Sequence, residues 1–203
     1  MKRLMILLIL VAAGVSAKGH AATILVFGDS ISAGFGINPE RGWAALLQSK
    51  LKSEGYGEQV INASVSGETT EGGLARLPRA LALHHPGIVI IELGGNDGLR
   101  ALPIDQMRAN LAQMAALCTT AGARVLLLGM QIPPNYGPEY TQQFRSSYGS
   151  VAREKNLPLV PFLLNGIALN PQLMQADGIH PNELGQPKLL DNVWAALKPL
   201  LGK

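Results

Sequence analysis

Thr23-Ile24-Leu25-Val26-Phe27-Gly28-Asp29-Ser30 is a short apolar run, rich in β-branched residues, that stops at a glycine and then presents a hydroxyl. Such a run suits a buried strand, and Gly28 breaks it. A serine where a strand ends is a candidate nucleophile. On this stretch alone a plainer reading stands beside it, in which Asp29 or Ser30 only caps the next helix or closes a tight turn. The rest of the chain decides between them.

Downstream, strand and helix patterns alternate. Trp43, Leu46, Leu47 and Leu51 recur at helical spacing within 42–54, and Gly55 supplies a stop. Residues 58–63 (EQVINA) read as a second strand and 64–70 (SVSGETT) as a polar turn. Thr69 or Thr70 can cap a helix towards His84, with Leu74, Leu77 and Leu81 on one face and Pro78 bending or restarting it. Residues 87–93 (GIVIIEL) are nearly all apolar, as a central parallel strand covered on both faces requires. A helix over 104–120, a strand over 124–128, a proline-rich loop over 131–138, a helix over about 140–155, a short strand over 157–160 and a last helix over about 184–200 complete the pattern. About five strands joined by helices predict a parallel sheet between two helical layers, because right-handed crossovers put each helix on a face. Ligands in such sheets bind beyond the carboxyl ends of the strands, and Ser30, Gly67 and Asn96 each follow one. Three polar turns should meet on one rim.

The chain has 203 residues, 15% of them charged and 47% hydrophobic, which suits one domain with a sizeable core. Met1-Lys2-Arg3 and the apolar run from Leu4 to Ala17 have the form of a secretory signal, too short to span a bilayer comfortably. Cleavage sites are offered at Ala17 and Ala21; the second is favoured, giving a leader over 1–21 and one domain over 22–203, with an uncleaved anchor as the competing reading. Lys2, Arg3 and Lys18 are three of the 17 basic residues, so from Ala22 onward 14 basic face 14 acidic residues. The basic balance belongs to the leader and argues for neither nucleic acid nor an anionic membrane as partner. The lone Cys118 forbids an internal disulfide and is expected on an apolar helix face.

A serine hydroxyl needs a base, and the base needs a group that orients its ring. His180 is the candidate base. Asp177 lies three residues earlier in a glycine-containing turn, within reach of one imidazole nitrogen, while Pro181 disfavours helix at His180. Acyl transfer also needs donors for an oxyanion. The backbone N–H groups of Ser30 and Gly67 and the side-chain amide of Asn96 are the candidates. Each is ordinary alone, since glycines after strands are usually turn residues and an Asp three residues before a His is common. Their coincidence at successive strand ends carries the reading. Asp29 is expected to hold the turn by hydrogen bonding, not to serve as the triad acid. Leu99, Leu102, Pro103 and Ile132 lie just beyond strand ends and are candidates for an acyl groove, with packing under a loop as the alternative.

Gly28-Asp29-Ser30-Ile31, Gly67, Gly94-x-Asn96-Asp97 and Asp177-x-x-His180 together resemble the four motif blocks of the SGNH, or GDSL, hydrolases, with Ile31 where the short family name has leucine. The leader, the size and the stretches ILVFGDSISAGFGI and LGGNDGLR resemble in particular the bacterial periplasmic group of thioesterase I, lysophospholipase L1 and arylesterase. The resemblance implies a flavodoxin-like three-layer α/β/α sandwich with sheet order 2-1-3-4-5. It implies Ser30 as nucleophile, His180 as base, Asp177 as orienting acid, and Ser30, Gly67 and Asn96 as oxyanion hole. The function expected is hydrolysis of carboxylic esters and thioesters of acyl substrates through an acyl-enzyme, by a periplasmic or secreted monomer using no cofactor and no metal.

Other readings are weaker. Gly34-Phe35-Gly36 only echoes a phosphate loop, lacking the third glycine and the lysine, which disfavours a nucleotide- or flavin-binding module. His84-His85 beside Pro86 reads as a solvated helix cap, without a carboxylate or cysteine at ligand spacing. Asn62-Ala63-Ser64 matches a glycosylation acceptor, which a bacterial-type leader makes irrelevant. A non-catalytic lipid- or glycan-binding protein of the same fold and a carbohydrate O-acetyl esterase remain the alternatives. With two tryptophans and four tyrosines there is no extended aromatic platform for sugar, which mildly favours acyl lipids and thioesters.

Overall fold

The apolar runs build one sheet. In the computed structural model, which describes residues 23–202, five strands lie parallel in the order β2-β1-β3-β4-β5. They are β1 (Thr23–Gly28), β2 (Gln59–Asn62), β3 (Ile88–Glu92), β4 (Arg124–Leu128) and β5 (Leu159–Val160). The expected leader and its cleavage sites lie outside the described residues. Among those residues no helix is long and apolar enough to cross a membrane.

β1 and β3 are the centre. Ile24 to Phe27 and Ile88 to Ile91 are fully buried, which is why both read as unbroken apolar runs. Their register pairs Gly28 with Glu92, so the two strands end side by side. Helices α2 (Trp43–Ser53) and α7 (Gln186–Leu197) pack together, whereas α3 (Thr70–His84), α5 (Ile104–Thr120) and α6 (Pro138–Lys155) pack in succession. Since crossovers between parallel strands are right-handed as a rule, these are the two layers of the α/β/α sandwich. Trp43, Leu47 and Leu51 of α2 are buried, as are Met107, Leu111, Met114 and Cys118 of α5. Cys118 faces the core as expected, and burial pushes its thiol up to about 12, so it is inert.

The structure sharpens several boundaries. Helix α3 runs through Pro78 unbroken, with no restart, and Pro78 is exposed. Its first turn is capped by Thr69, and His85 closes it in a left-handed conformation with its N–H on the Leu81 carbonyl, the cap role read for His84-His85. The last strand is only two residues, because β5 pairs with β4 alone, at Leu127 and Leu128. The last helix is composite: 3₁₀ turns over Glu183–Gly185 and Lys198–Leu200 flank α7. Two one-turn helices, α1 (Ser30–Ala33) and α4 (Gly95–Leu99), occupy positions read as turns, and both lie at the carboxyl rim.

Candidate active site

Ser30 is the first residue of α1, directly after β1, and Asp29 is its N-cap. The Asp29 carboxylate accepts the Ile31 N–H at 3.0 Å, satisfying a donor the short helix leaves free. The capping reading of this stretch is met by Asp29, and it leaves Ser30 at the rim as the first residue of α1. Asn62, at the end of β2, donates its side-chain amide to the Ser32 carbonyl at 2.7 Å and holds α1 from the other side.

His180 and Asp177 reach the same point from a loop. Ser30 Oγ lies 2.8 Å from His180 Nε2, and His180 Nδ1 lies 2.7 Å from Asp177 Oδ2. An ionised carboxylate can only accept, so Nδ1 carries the proton and Nε2 is free to accept from the serine hydroxyl. The other Asp177 oxygen accepts the N–H groups of Ile179 and His180 at 2.9 and 3.0 Å. Burial works to raise the Asp177 carboxyl, but these hydrogen bonds and the histidine beside it outweigh it and hold the group down at about 2. Asp177 is thus charged throughout the physiological range.

The expected oxyanion donors lie in the turns that follow β1, β2 and β3. Gly67 has φ +78°, a left-handed turn that glycine adopts without a Cβ penalty. Among the described residues neither the Gly67 N–H nor the Ser30 N–H has a hydrogen-bond acceptor. The Asn96 amide, in the first turn of α4, donates instead to Asp29 Oδ2 at 3.1 Å and to the Glu68 carbonyl at 2.9 Å. It knots together the turns that follow β1, β2 and β3, and can serve an oxyanion only by sharing or releasing one of these acceptors. Beneath it, Thr70 donates its N–H and hydroxyl to the two oxygens of Asp97, and Asn110 donates to the Thr70 hydroxyl at 3.1 Å. This buried network fixes the start of α3 against α4, and burial raises the Asp97 carboxyl. Arg76 lies 3.8 Å over the Phe27 ring and bonds Glu68 and the Ala63 carbonyl, bracing the same turn.

Two elements were not read from the sequence. Phe35, half exposed, stacks on His180 with ring centroids 4.6 Å apart, while its N–H bonds the Ser30 carbonyl and its carbonyl accepts from Gln175 Nε2. Gly34 and Gly36 only echo a phosphate loop, whereas the aromatic between them lies at the site. The second is Glu92, at the end of β3, entirely buried under the turn that carries Ser30. The single acidic letter in GIVIIEL was its signal. Burial first, then the Asp29 charge, raises Glu92 well above the usual carboxylate range, and burial likewise pushes Asp29 up to about 6.

The acyl-groove candidates form one neighbourhood. Ile132 packs over Gly98 of α4, where an added Cβ would lie 2.7 Å from its methyl group. The Tyr136 and Tyr140 hydroxyls donate to the carbonyls of Leu99 and Leu102 at 2.7 and 2.8 Å. Leu99 and Ile132 are half-buried, and Leu102 and Pro103 are exposed. The 131–138 loop is therefore tied to the segment after Asn96 by backbone carbonyls, leaving apolar side chains at the surface.

A parallel 2-1-3-4-5 sheet carrying a serine, a histidine and an aspartate in hydrogen-bonded series at its carboxyl rim defines a hydrolase of the SGNH class. The chain belongs to the GDSL-like lipase/acylhydrolase family, whose model matches residues 26–187. It is 55% identical over 184 residues to the esterase TesA of Pseudomonas aeruginosa, a match covering 91% of this chain and 92% of that one. It is 43% identical over 181 residues to thioesterase 1/protease 1/lysophospholipase L1 of Escherichia coli, covering 89% and 86%. Among solved structures, the psychrotrophic esterase EstA from Pseudoalteromonas, inhibited by monoethylphosphonate, superposes with a TM-score of 0.84 at 42% identity over 88% of this chain and 97% of that one.

Proposed function

We propose that the protein hydrolyses carboxylic ester and thioester bonds of acyl substrates through an acyl-enzyme on Ser30. The observation that carries this is the continuous series Ser30 Oγ, His180, Asp177 at 2.8 and 2.7 Å, with the N–H groups of Ser30 and of Gly67, in the turn after β2, left without an acceptor among the described residues. His180 Nε2 takes the Ser30 proton as Oγ attacks the carbonyl carbon, and the oxyanion forms against the Ser30 and Gly67 N–H groups with Asn96 as third donor. The tetrahedral adduct collapses, and the imidazolium gives its proton to the departing alkoxide or thiolate. Water then enters, loses a proton to His180 and attacks the acyl-serine, which releases the carboxylic acid and restores the hydroxyl. Asp177 holds the imidazole tautomer throughout. Leu99, Leu102, Pro103 and Ile132 offer an apolar surface for the acyl chain. The names of the relatives, esterase, thioesterase and lysophospholipase, agree with a site that reads the carbonyl more closely than the leaving group.

The leader-like start supports export to the periplasm, and the charge balance from Ala22 onward supports a small-molecule acyl substrate over nucleic acid. Replacing Ser30 by Ala is expected to leave a folded protein with almost no turnover of an aryl ester and no covalent labelling by an organophosphonate. An S30A variant keeping most of the wild-type turnover would overturn the assignment.

A further inference from the structure

A carboxyl group at the end of the central strand of an apolar core has to be there for a reason that hydrophobic packing does not supply. Glu92 is wholly buried. One oxygen, Oε2, accepts three donors from the nucleophile turn: the N–H of Asp29 at 3.3 Å, the N–H of Ser32 at 3.3 Å and the hydroxyl of Ser32 at 2.7 Å. These donors stand on either side of Ser30. The other oxygen, Oε1, is buried with no hydrogen-bond partner among the described residues, so every hydrogen bond the carboxyl makes there goes to this turn. The turn is fitted to it in return: a Cβ on Gly28 would lie 2.6 Å from Oε2 and 3.0 Å from the Glu92 carbonyl, so β1 and β3 end in this contact only with glycine at 28.

We propose that Glu92 is the positioning residue of the nucleophile, an anchor that gathers the backbone on both sides of Ser30 and so sets the direction of its Oγ towards His180 and of its N–H towards the oxyanion. The inference rests on the proposed role of Ser30. A one-turn helix cannot hold itself, because nucleating a helix fixes several residues for one hydrogen bond. Helix α1 is four residues long, and the Asp29 carboxylate that caps its start satisfies the Ile31 N–H but not that of Ser32. The Glu92 oxygen supplies the missing acceptor from below, out of reach of substrate and solvent. What the anchor requires is an acceptor oxygen at this place rather than a charge, in keeping with burial favouring the neutral acid.

The test uses the full-length mature protein with three variants, Glu92→Gln, Glu92→Leu and Ser32→Ala, and a chromogenic aryl ester. Functional sites are counted by organophosphonate labelling, and rates are expressed per labelled site. Gln keeps an acceptor oxygen, and E92Q is expected to retain kcat within about threefold. E92L removes the acceptor and is expected to lose kcat about tenfold or more at little-changed KM, since small misplacements of a reacting group are costly. S32A, which deletes only the shortest of the three bonds, is expected to fall between them. A role confined to stability would reduce the number of labelled sites but not the rate at each, so unchanged kcat per site in E92L overturns the proposal, as does E92Q falling as far as E92L. Should E92L fail to fold, S32A decides: wild-type kcat per site in S32A overturns it. Failure of the wild type to label would instead overturn the assignment of Ser30.

Discussion

Asp29 is the residue whose electrostatics the structure makes most quantitative. It is buried, and its carboxyl is pushed from an ordinary 3.8 up to about 6. In the unfolded chain the group ionises near its ordinary value, so between about pH 4 and 6 the folded protein holds a proton the unfolded chain has lost. Stability must therefore fall as pH rises through this window, and the loss is complete above about 6. At about 1.4 kcal/mol per pH unit, a shift of roughly two units amounts to about 3 kcal/mol. Replacing Asp29 by Asn removes the titration. The variant starts lower at pH 4, because its side-chain amide cannot accept from Ile31 and Asn96 at once, but it should not decline further. Urea unfolding followed by fluorescence of the buried Trp43, at half-unit steps from pH 4 to 7, yields both curves. The difference between D29N and wild type cancels the carboxylates that do not interact with Asp29, though not Glu92, which the Asp29 charge raises, and is expected to change by up to about 3 kcal/mol in favour of the variant across the window. Parallel curves, agreeing within about 0.5 kcal/mol in slope over the whole range, would refute the argument that burial strains this group.

Two further outcomes are expected. Thr70→Val removes the hydroxyl that bonds Asp97 and accepts from Asn110, leaving buried polar groups unpaired, and should lower unfolding free energy by about 1–3 kcal/mol in the same urea assay; a loss within error would mean the network is not a brace. Shortening Leu102 or Ile132 to Ala should change the ratio of long- to short-chain ester hydrolysis by about threefold or more, since apolar pockets discriminate by methylene contacts. An unchanged ratio would assign those side chains to packing alone.

The central sheet was legible because burial on both faces leaves no room for alternation: Ile24 to Phe27 and Ile88 to Ile91 could read in only one way. The rim was legible because its chemistry demands particular residue types, a serine, a histidine with an acid nearby, a glycine and an asparagine, each at a strand end. What stayed hidden was short or distant. The single turns Ser30–Ala33 and Gly95–Leu99 are too brief to show a helical period and exist through caps and tertiary bonds. Phe35 and His180 meet only through folding, and nothing local to either predicts the stack. Glu92 was visible as a polar letter in an apolar strand, but its partners Asp29 and Ser32 lie far back in the chain. Asn96 was read correctly as a rim residue, yet its amide joins three turns, which strand ends alone do not reveal.

The two halves of the site are held by opposite means, and this has a consequence in acid. His180 and Asp177 sit on a loop where the aspartate side chain remains 37% exposed, and local backbone donors keep its carboxylate charged. Ser30 stands on a turn supported from beneath by buried carboxyls that resist ionising. Falling pH therefore reaches the support first. Asp29 takes up its proton near pH 6, which strengthens the fold under Ser30, whereas the stabilisation Asp177 draws from its lowered value is lost only as pH falls through about 2. Over the whole interval between, Asp177 stays charged beside His180 while the carboxyls beneath Ser30 become neutral, so a change of rate near pH 6 cannot be assigned to Asp177.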